Sequence, residues 1–127
     1  MTLKQIIIVP TDLNMSPGKV AAQVAHASVQ NVVHMLESNN HKWLSWIYTW
    51  LNEGYTKIVL QTTVKERDSI YNIIKNGNHL SSLDLPVSLI EDLGFTELEP
   101  YTKTTLAIGP APADLIDDFT KELSLYK

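Results

Sequence analysis

The stretch Ser16-Pro17-Gly18-Lys19-Val20-Ala21-Ala22-Gln23-Val24-Ala25-His26-Ala27-Ser28 constrains the fold more than any other part of the chain. Ser16 can accept a hydrogen bond from the free N–H groups of a helix start. Pro17 suits the first helical position because the N–H it lacks has no partner there. Lys19, Gln23, His26 and Gln30 follow at steps of four, three and four among Ala, Val and Ser. At about 100° per residue these four side chains share a stripe roughly 60° wide. A helix this apolar needs cover on most sides, so its polar stripe is expected to line a groove or cleft. The stripe is a candidate site.

Elements around this helix alternate in type. Residues 3–9 form a β-branched apolar run ending at Pro10, as expected of a strand buried on both faces. Residues 11–15 read as a loop, and the helix from Pro17 runs to Glu37, where Ser38-Asn39-Asn40 breaks it. Residues 41–51 carry Trp43, Leu44, Ile47, Trp50 and Leu51 at helical spacing, with Gly54 placed to stop them. Residues 57–62 read as a second strand. Thr63 and Glu66 make a possible capping box for a helix with Ile70, Ile73 and Ile74 on one face, ended by Gly77. Strands are expected at 86–90 and 104–108, and Pro112 opens a last helix with Leu115, Ile116, Phe119 and Leu123 on one side.

This order predicts one α/β domain over 1–127: three layers, with a mixed, largely parallel four-stranded central sheet flanked by helices. There is no internal repeat, linker or low-complexity tract. Residues 91–103 join two strands without an obvious helix. Ligands of such folds sit where loops leave the carboxyl ends of strands. The loop at 10–15 and the loop from Glu91 are therefore expected to meet beside the polar stripe.

Composition narrows the possible chemistry. The chain has no cysteine, so disulfides and thiolate metal sites are excluded. The first apolar run is too short for a membrane span and lacks the layout of a signal peptide, so a cytoplasmic protein is expected. Net charge is −4 with a single arginine, Arg67. That balance argues against broad, sequence-independent nucleic-acid binding, where Lys and Arg on phosphates dominate affinity, and no DNA partner is expected. A local basic patch remains compatible with it. His34, His41 and His79 are scattered and make no metal set.

The pattern Asp12-Leu13-x-Met15-x-x-Gly18-Lys19-x-Ala21-Ala22-Gln23-x-x-His26-Ala27 resembles the N-terminal signature of the archaeal and eukaryotic type of peptidyl-tRNA hydrolase. Three later pieces match the same family in order: Leu85-Pro86-Val87-Ser88-Leu89-Ile90-x-Asp92-x-Gly94-x-Thr96, then Pro100 with Thr102 and Thr104, then Leu106-Ala107-Ile108-Gly109-Pro110. The likeness covers nearly the whole chain. It implies a mixed sheet flanked by helices, a homodimer, and an esterase that frees peptides from prematurely dissociated peptidyl-tRNA. No cofactor or metal is implied. Lys19, Gln23, His26, Asp92, Thr96 and Thr104 carry over as site residues, each from its place in a matched motif.

Ester hydrolysis needs an activated water, a stabilised oxyanion and a proton for the leaving hydroxyl. Asp92 could orient or deprotonate the water, though an ordinary Asp is a weak base at neutral pH. Lys19 and the free N–H groups of its first turn could hold a phosphate or the oxyanion. Gln23 and Thr96 can donate hydrogen bonds, and His26 could shuttle a proton. No serine or cysteine nucleophile signature is present, so direct attack by water is the simpler chemistry.

Read one at a time, the same residues have plainer meanings. Lys19 is also a solvated first-turn lysine, His26 a structural histidine, Asp92 a turn residue before Gly94, and Thr104 and Thr105 ordinary strand residues. Trp43, Trp46 and Trp50 could stack on bases, but their helical spacing favours core or dimer contact. Gln30 matches no motif and is expected to be solvated.

Four positions depart from the family pattern. Pro10 and Phe95 stand where basic residues are common, Leu93 replaces an alanine and Glu97 a glutamine. Lost phosphate contacts weaken tRNA binding. A catalytically divergent module that binds tRNA or protein on the same fold is the alternative reading.

Overall fold

The run of β-branched residues that opens the chain becomes its most buried strand. In the computed structural model, which describes residues 2–77, 85–94 and 97–127, β1 spans Leu3–Pro10, and Ile6, Ile7, Ile8 and Val9 are each at most 1% exposed. Along the chain follow α1 (Pro17–Glu37), α2 (His41–Asn52), β2 (Lys57–Thr62), α3 (Val64–Asn76), β3 (Val87–Asp92), β4 (Thr102–Pro112), α4 (Ala113–Thr120) and β5 (Ser124–Leu125). The strands form one sheet in the order β3-β4-β1-β2-β5.

The α/β class with flanking helices is as expected, but the sheet differs in two respects. It has five strands rather than four, and it is mostly antiparallel rather than largely parallel. β1 and β2 are parallel, while β1–β4, β3–β4 and β2–β5 are antiparallel. A parallel pair needs a long crossover, and α1 with α2 supplies one between β1 and β2. Among the described residues no helix stands between β3 and β4, and the two strands run antiparallel. β5, at two residues, is too short to show a period in sequence.

Residues of β1 alternate between faces. Ile7 packs with Ala27 of α1, Ile90 and Ala107. Ile6 and Ile8 join a larger cluster that includes Trp46, Ile47 and Trp50 of α2, Ile70 and Ile74 of α3, and Ile116 of α4. Trp46 and Trp50 are therefore core residues, as their spacing suggested. Trp43 is half-buried against the His34 ring, with centroids 5.4 Å apart. No helix among the described residues is long and apolar enough to cross a membrane.

Local signals set the helix ends. Ser16 Oγ accepts from Lys19 N at 3.3 Å, Asn40 Oδ1 from Trp43 N at 3.1 Å, and Thr63 Oγ1 from Glu66 N at 3.1 Å. Caps of this kind contribute about 1 kcal/mol each. Gly77 stops α3 in the left-handed region at φ 65°.

α1 buries a single stripe on the sheet: Val20, Gln23, Ala27, Asn31 and Met35. Its opposite flank is bare, with Val29 62%, Val33 43% and Leu36 45% exposed. The expectation of cover on most sides is corrected accordingly. One helix laid on a sheet hides about one face, and α1 carries apolar residues beyond that face.

Candidate functional site

The last residue of edge strand β3 is Asp92, and it lies under the first turns of α1 with 7% of its surface exposed. Lys19 Nζ donates to Asp92 Oδ1 at 2.6 Å, and Gln23 Nε2 donates to the same oxygen at 3.3 Å. The step of four that put Lys19 and Gln23 on one helix face thus brings both to one carboxylate oxygen. Oδ2 accepts from the backbone N–H of Gly94 at 2.8 Å.

That last bond requires glycine. Gly94 has φ +80°, and a Cβ there would stand 2.5 Å from Pro100 Cα. A side chain would push apart the loop that folds back toward β4, where Tyr101 N donates to Asp92 O at 2.6 Å.

Gln23 is itself held from two sides. The Thr104 hydroxyl donates to Gln23 Oε1, and Thr105 Oγ1 donates to the Gln23 carbonyl at 2.7 Å. Both threonines are fully buried, and Gln23 is 2% exposed. With Oε1 committed to a donor, the amide nitrogen is turned to Asp92.

The Lys19 ammonium holds the Asp92 carboxyl below its ordinary pKa. Burial opposes that shift, while the Gly94 N–H and the charges of Lys19 and His26 add to it. Asp92 is therefore a standing carboxylate at neutral pH rather than a carboxyl tuned upward to act as a base.

The ion pair faces an open cleft of about 620 Å³ between α1 and the end of β3, whose walls include Lys19, Gln23, His26, Gln30, Asp92 and Leu93. His26 is exposed on that wall, two turns along α1. Gln30 is solvated as expected, yet it also lines the cleft.

The two loops expected to converge do so at Ser16. Its N–H donates to Glu97 Oε2 at 2.8 Å and its hydroxyl to Glu97 Oε1 at 2.5 Å. These bonds lower the Glu97 pKa and tie the β3–β4 connection to the start of α1.

Of the six residues carried over from the resemblance, Lys19, Gln23, Asp92 and Thr104 form one hydrogen-bonded chain, and His26 stands on the cleft wall. Thr96 lies outside the described residues, as do Phe95 and His79. Sequence reading missed Thr105 and the Gly94 N–H as partners. A polar pair such as Thr104-Thr105 inside an apolar strand is the signal that could have found the first. Among the described residues no three His, Asp or Glu side chains converge to hold a metal ion.

A family model described as Peptidyl-tRNA hydrolase PTH2 matches residues 3–126. A peptidyl-tRNA hydrolase of Saccharolobus solfataricus is 44% identical over 123 residues, covering 97% of this chain and 98% of its own. One from Saccharolobus islandicus is 45% identical with the same coverage. One from Sulfurisphaera tokodaii is 44% identical over 125 residues, covering 98% of this chain and 99% of its own. The match runs through the strand, helix and loop that assemble Lys19, Gln23, Asp92 and Thr104, and the chain belongs to the PTH2 family of peptidyl-tRNA hydrolases.

Proposed function

We propose that the chain hydrolyses the ester between a peptide and the 3′ ribose of tRNA by water held at Asp92, without a metal. The observation that carries this reading is the Lys19–Asp92 ion pair, set at the mouth of a cleft and braced by Gln23 and Thr104. Asp92 stays ionised and accepts a hydrogen bond from the attacking water, orienting its lone pair toward the ester carbon. Lys19, kept in place by Asp92, stabilises the oxyanion as the tetrahedral centre forms. The bond from the acyl carbon to the ribose oxygen then breaks. That oxygen takes a proton passed through His26, and the second proton of the water leaves as the peptide acid ionises. Thr96, assigned by its place after Gly94 in the matched motif, serves as a further donor to the substrate.

Release of acetylated amino acid from acylated tRNA tests the mechanism. Wild type is expected to turn over, while Asp92→Asn and Lys19→Ala each lose about 10²-fold or more in kcat, the scale of removing one preorganised charge-stabilising group. Near-wild-type rates in both folded variants would remove the assigned roles.

A substrate produced during translation supports a cytoplasmic location. The exposed row Val29, Val33 and Leu36 along α1 supports a homodimer. Light scattering on the purified chain checks this, and a single-chain mass at micromolar concentration excludes it.

A further inference from the structure

Arg67 is the chain's single arginine, and the chemistry above makes no use of it. Yet it is 2% exposed, and a buried guanidinium needs a reason. Its Nη1 donates to the carbonyls of Lys103 and Thr104, both at 2.8 Å, while Nε and Nη2 donate to Asp68 Oδ1 at 3.2 and 2.7 Å. One edge of the fork is thus neutralised by its sequence neighbour, and the other grips the strand that carries Thr104.

β4 needs that grip because its ladders falter there. Leu89 pairs with Leu106, but Glu91 pairs with Lys103, so Thr104 and Thr105 stand opposite Ile90 alone. On the other side, the β1–β4 register ends at Ile8 and Leu106. Continued, it would set Pro10 opposite Thr104, and proline has no N–H to donate. Backbone carbonyls away from water need donors, and Arg67 supplies one to the buried Thr104 and one to Lys103 beside it.

We propose that Arg67 is a positioning residue for the hydrolytic site. By clamping the Lys103 and Thr104 carbonyls it fixes the Thr104 hydroxyl on Gln23 Oε1, which aims the Gln23 amide at Asp92. The order of action is Arg67, Thr104, Gln23, Asp92. It rests on the reading of Asp92 as the carboxylate that holds the water. A lysine would present one compact ammonium where the guanidinium bridges two carbonyls and a carboxylate.

Two measurements test this with Arg67→Met and Arg67→Lys. In steady-state hydrolysis, kcat per folded molecule is expected to fall about tenfold in Arg67→Met with KM within about twofold, and less in Arg67→Lys, since misplacing a reacting group by about 1 Å can cost about 10²-fold. In a Thr104→Val background the same Arg67 substitution is expected to add little, because both act on one chain of contacts. Unchanged kcat, or an equal further loss in the Thr104→Val background, overturns the proposal.

The second measurement is the Gln23 side-chain amide resonance in a proton–nitrogen correlation spectrum of Arg67→Lys, which needs no turnover. A shifted or broadened Gln23 signal supports the proposal and an unmoved one overturns it. If Asp92→Asn hydrolyses at the wild-type rate, the Asp92 reading fails while the Gln23 signal still reports on Arg67. If Arg67→Met does not fold, Arg67→Lys carries both measurements.

Discussion

α1 meets the sheet through two buried polar seams that differ in charge. Near its N-terminus, Gln23 joins Thr104, Thr105 and Asp92. Two turns further on, Asn31 donates to the carbonyls of Pro86 at 3.1 Å and Gly109 at 2.6 Å, and accepts from Ser88 Oγ at 2.7 Å. Gln5 and Ser28 extend that second seam, with Ser28 Oγ donating to Gln5 Oε1 at 2.6 Å and Gln5 Nε2 reaching Gly109 O at 3.2 Å. Both seams are satisfied, and no buried side-chain nitrogen or oxygen among the described residues lacks a partner.

The second seam is neutral and closed. It registers α1 on β1, β3 and β4, and its groups have nothing left to offer a ligand. The first seam contains a carboxylate and an ammonium at the edge of a cleft. Neutral buried amides specify packing, whereas a partly buried ion pair that touches solvent holds charge ready for a reaction. Polarity under a helix is thus no mark of function. Charge that opens onto space is.

The contrast can be broken at matched positions. Gln23→Met keeps volume but removes the amide from Asp92 and leaves Thr104 without its acceptor. Its kcat is expected to drop about 10²-fold, the cost of losing a precisely oriented group. Asn31→Ala is expected to cost about 2–3 kcal/mol of stability, because buried partners lose their bonds. Turnover per folded molecule should stay as in wild type. Urea unfolding and steady-state kinetics on both variants decide the matter. If Asn31→Ala loses turnover as Gln23→Met does, the two seams are one functional unit.

The smallest effect is in acid. The folded-state pKa of Asp92 lies below its unfolded value, because the Lys19 hydrogen bond and charge outweigh burial. Its contribution to stability is therefore complete above the unfolded value of about 3.9 and is lost as pH falls through the lowered folded value. The gap in melting temperature between wild type and Asp92→Asn should hold from neutral pH to about pH 5 and shrink below about pH 4. A gap that ignores pH would mean that the ion pair adds no net stability.

Much of the site was legible before any coordinates. The steps of four and three put Lys19, Gln23 and His26 on one face because helical geometry leaves them no other place. Asp92 before Gly94 could be marked as special, but not as the partner of Lys19, since 73 residues separate them. Thr104 and Thr105 looked like ordinary strand residues because their side chains act across the sheet on a helix. Arg67 carried no signal beyond being the single arginine, because its task depends on a break in the β4 register that only the assembled sheet contains.

Local chemistry alone determined the strand at residues 3–9, the capped starts of α1 and α3, the stop at Gly77 and the polar stripe on α1. Each depends on residues within a turn or two of one another, so spacing and propensity suffice. Tertiary structure decided the antiparallel pairings, the fifth strand, the bare flank of α1 and which polar residues meet at Asp92. Those depend on which strand edges and helix faces come together when the whole chain minimises its exposed apolar surface, and no single segment contains that choice.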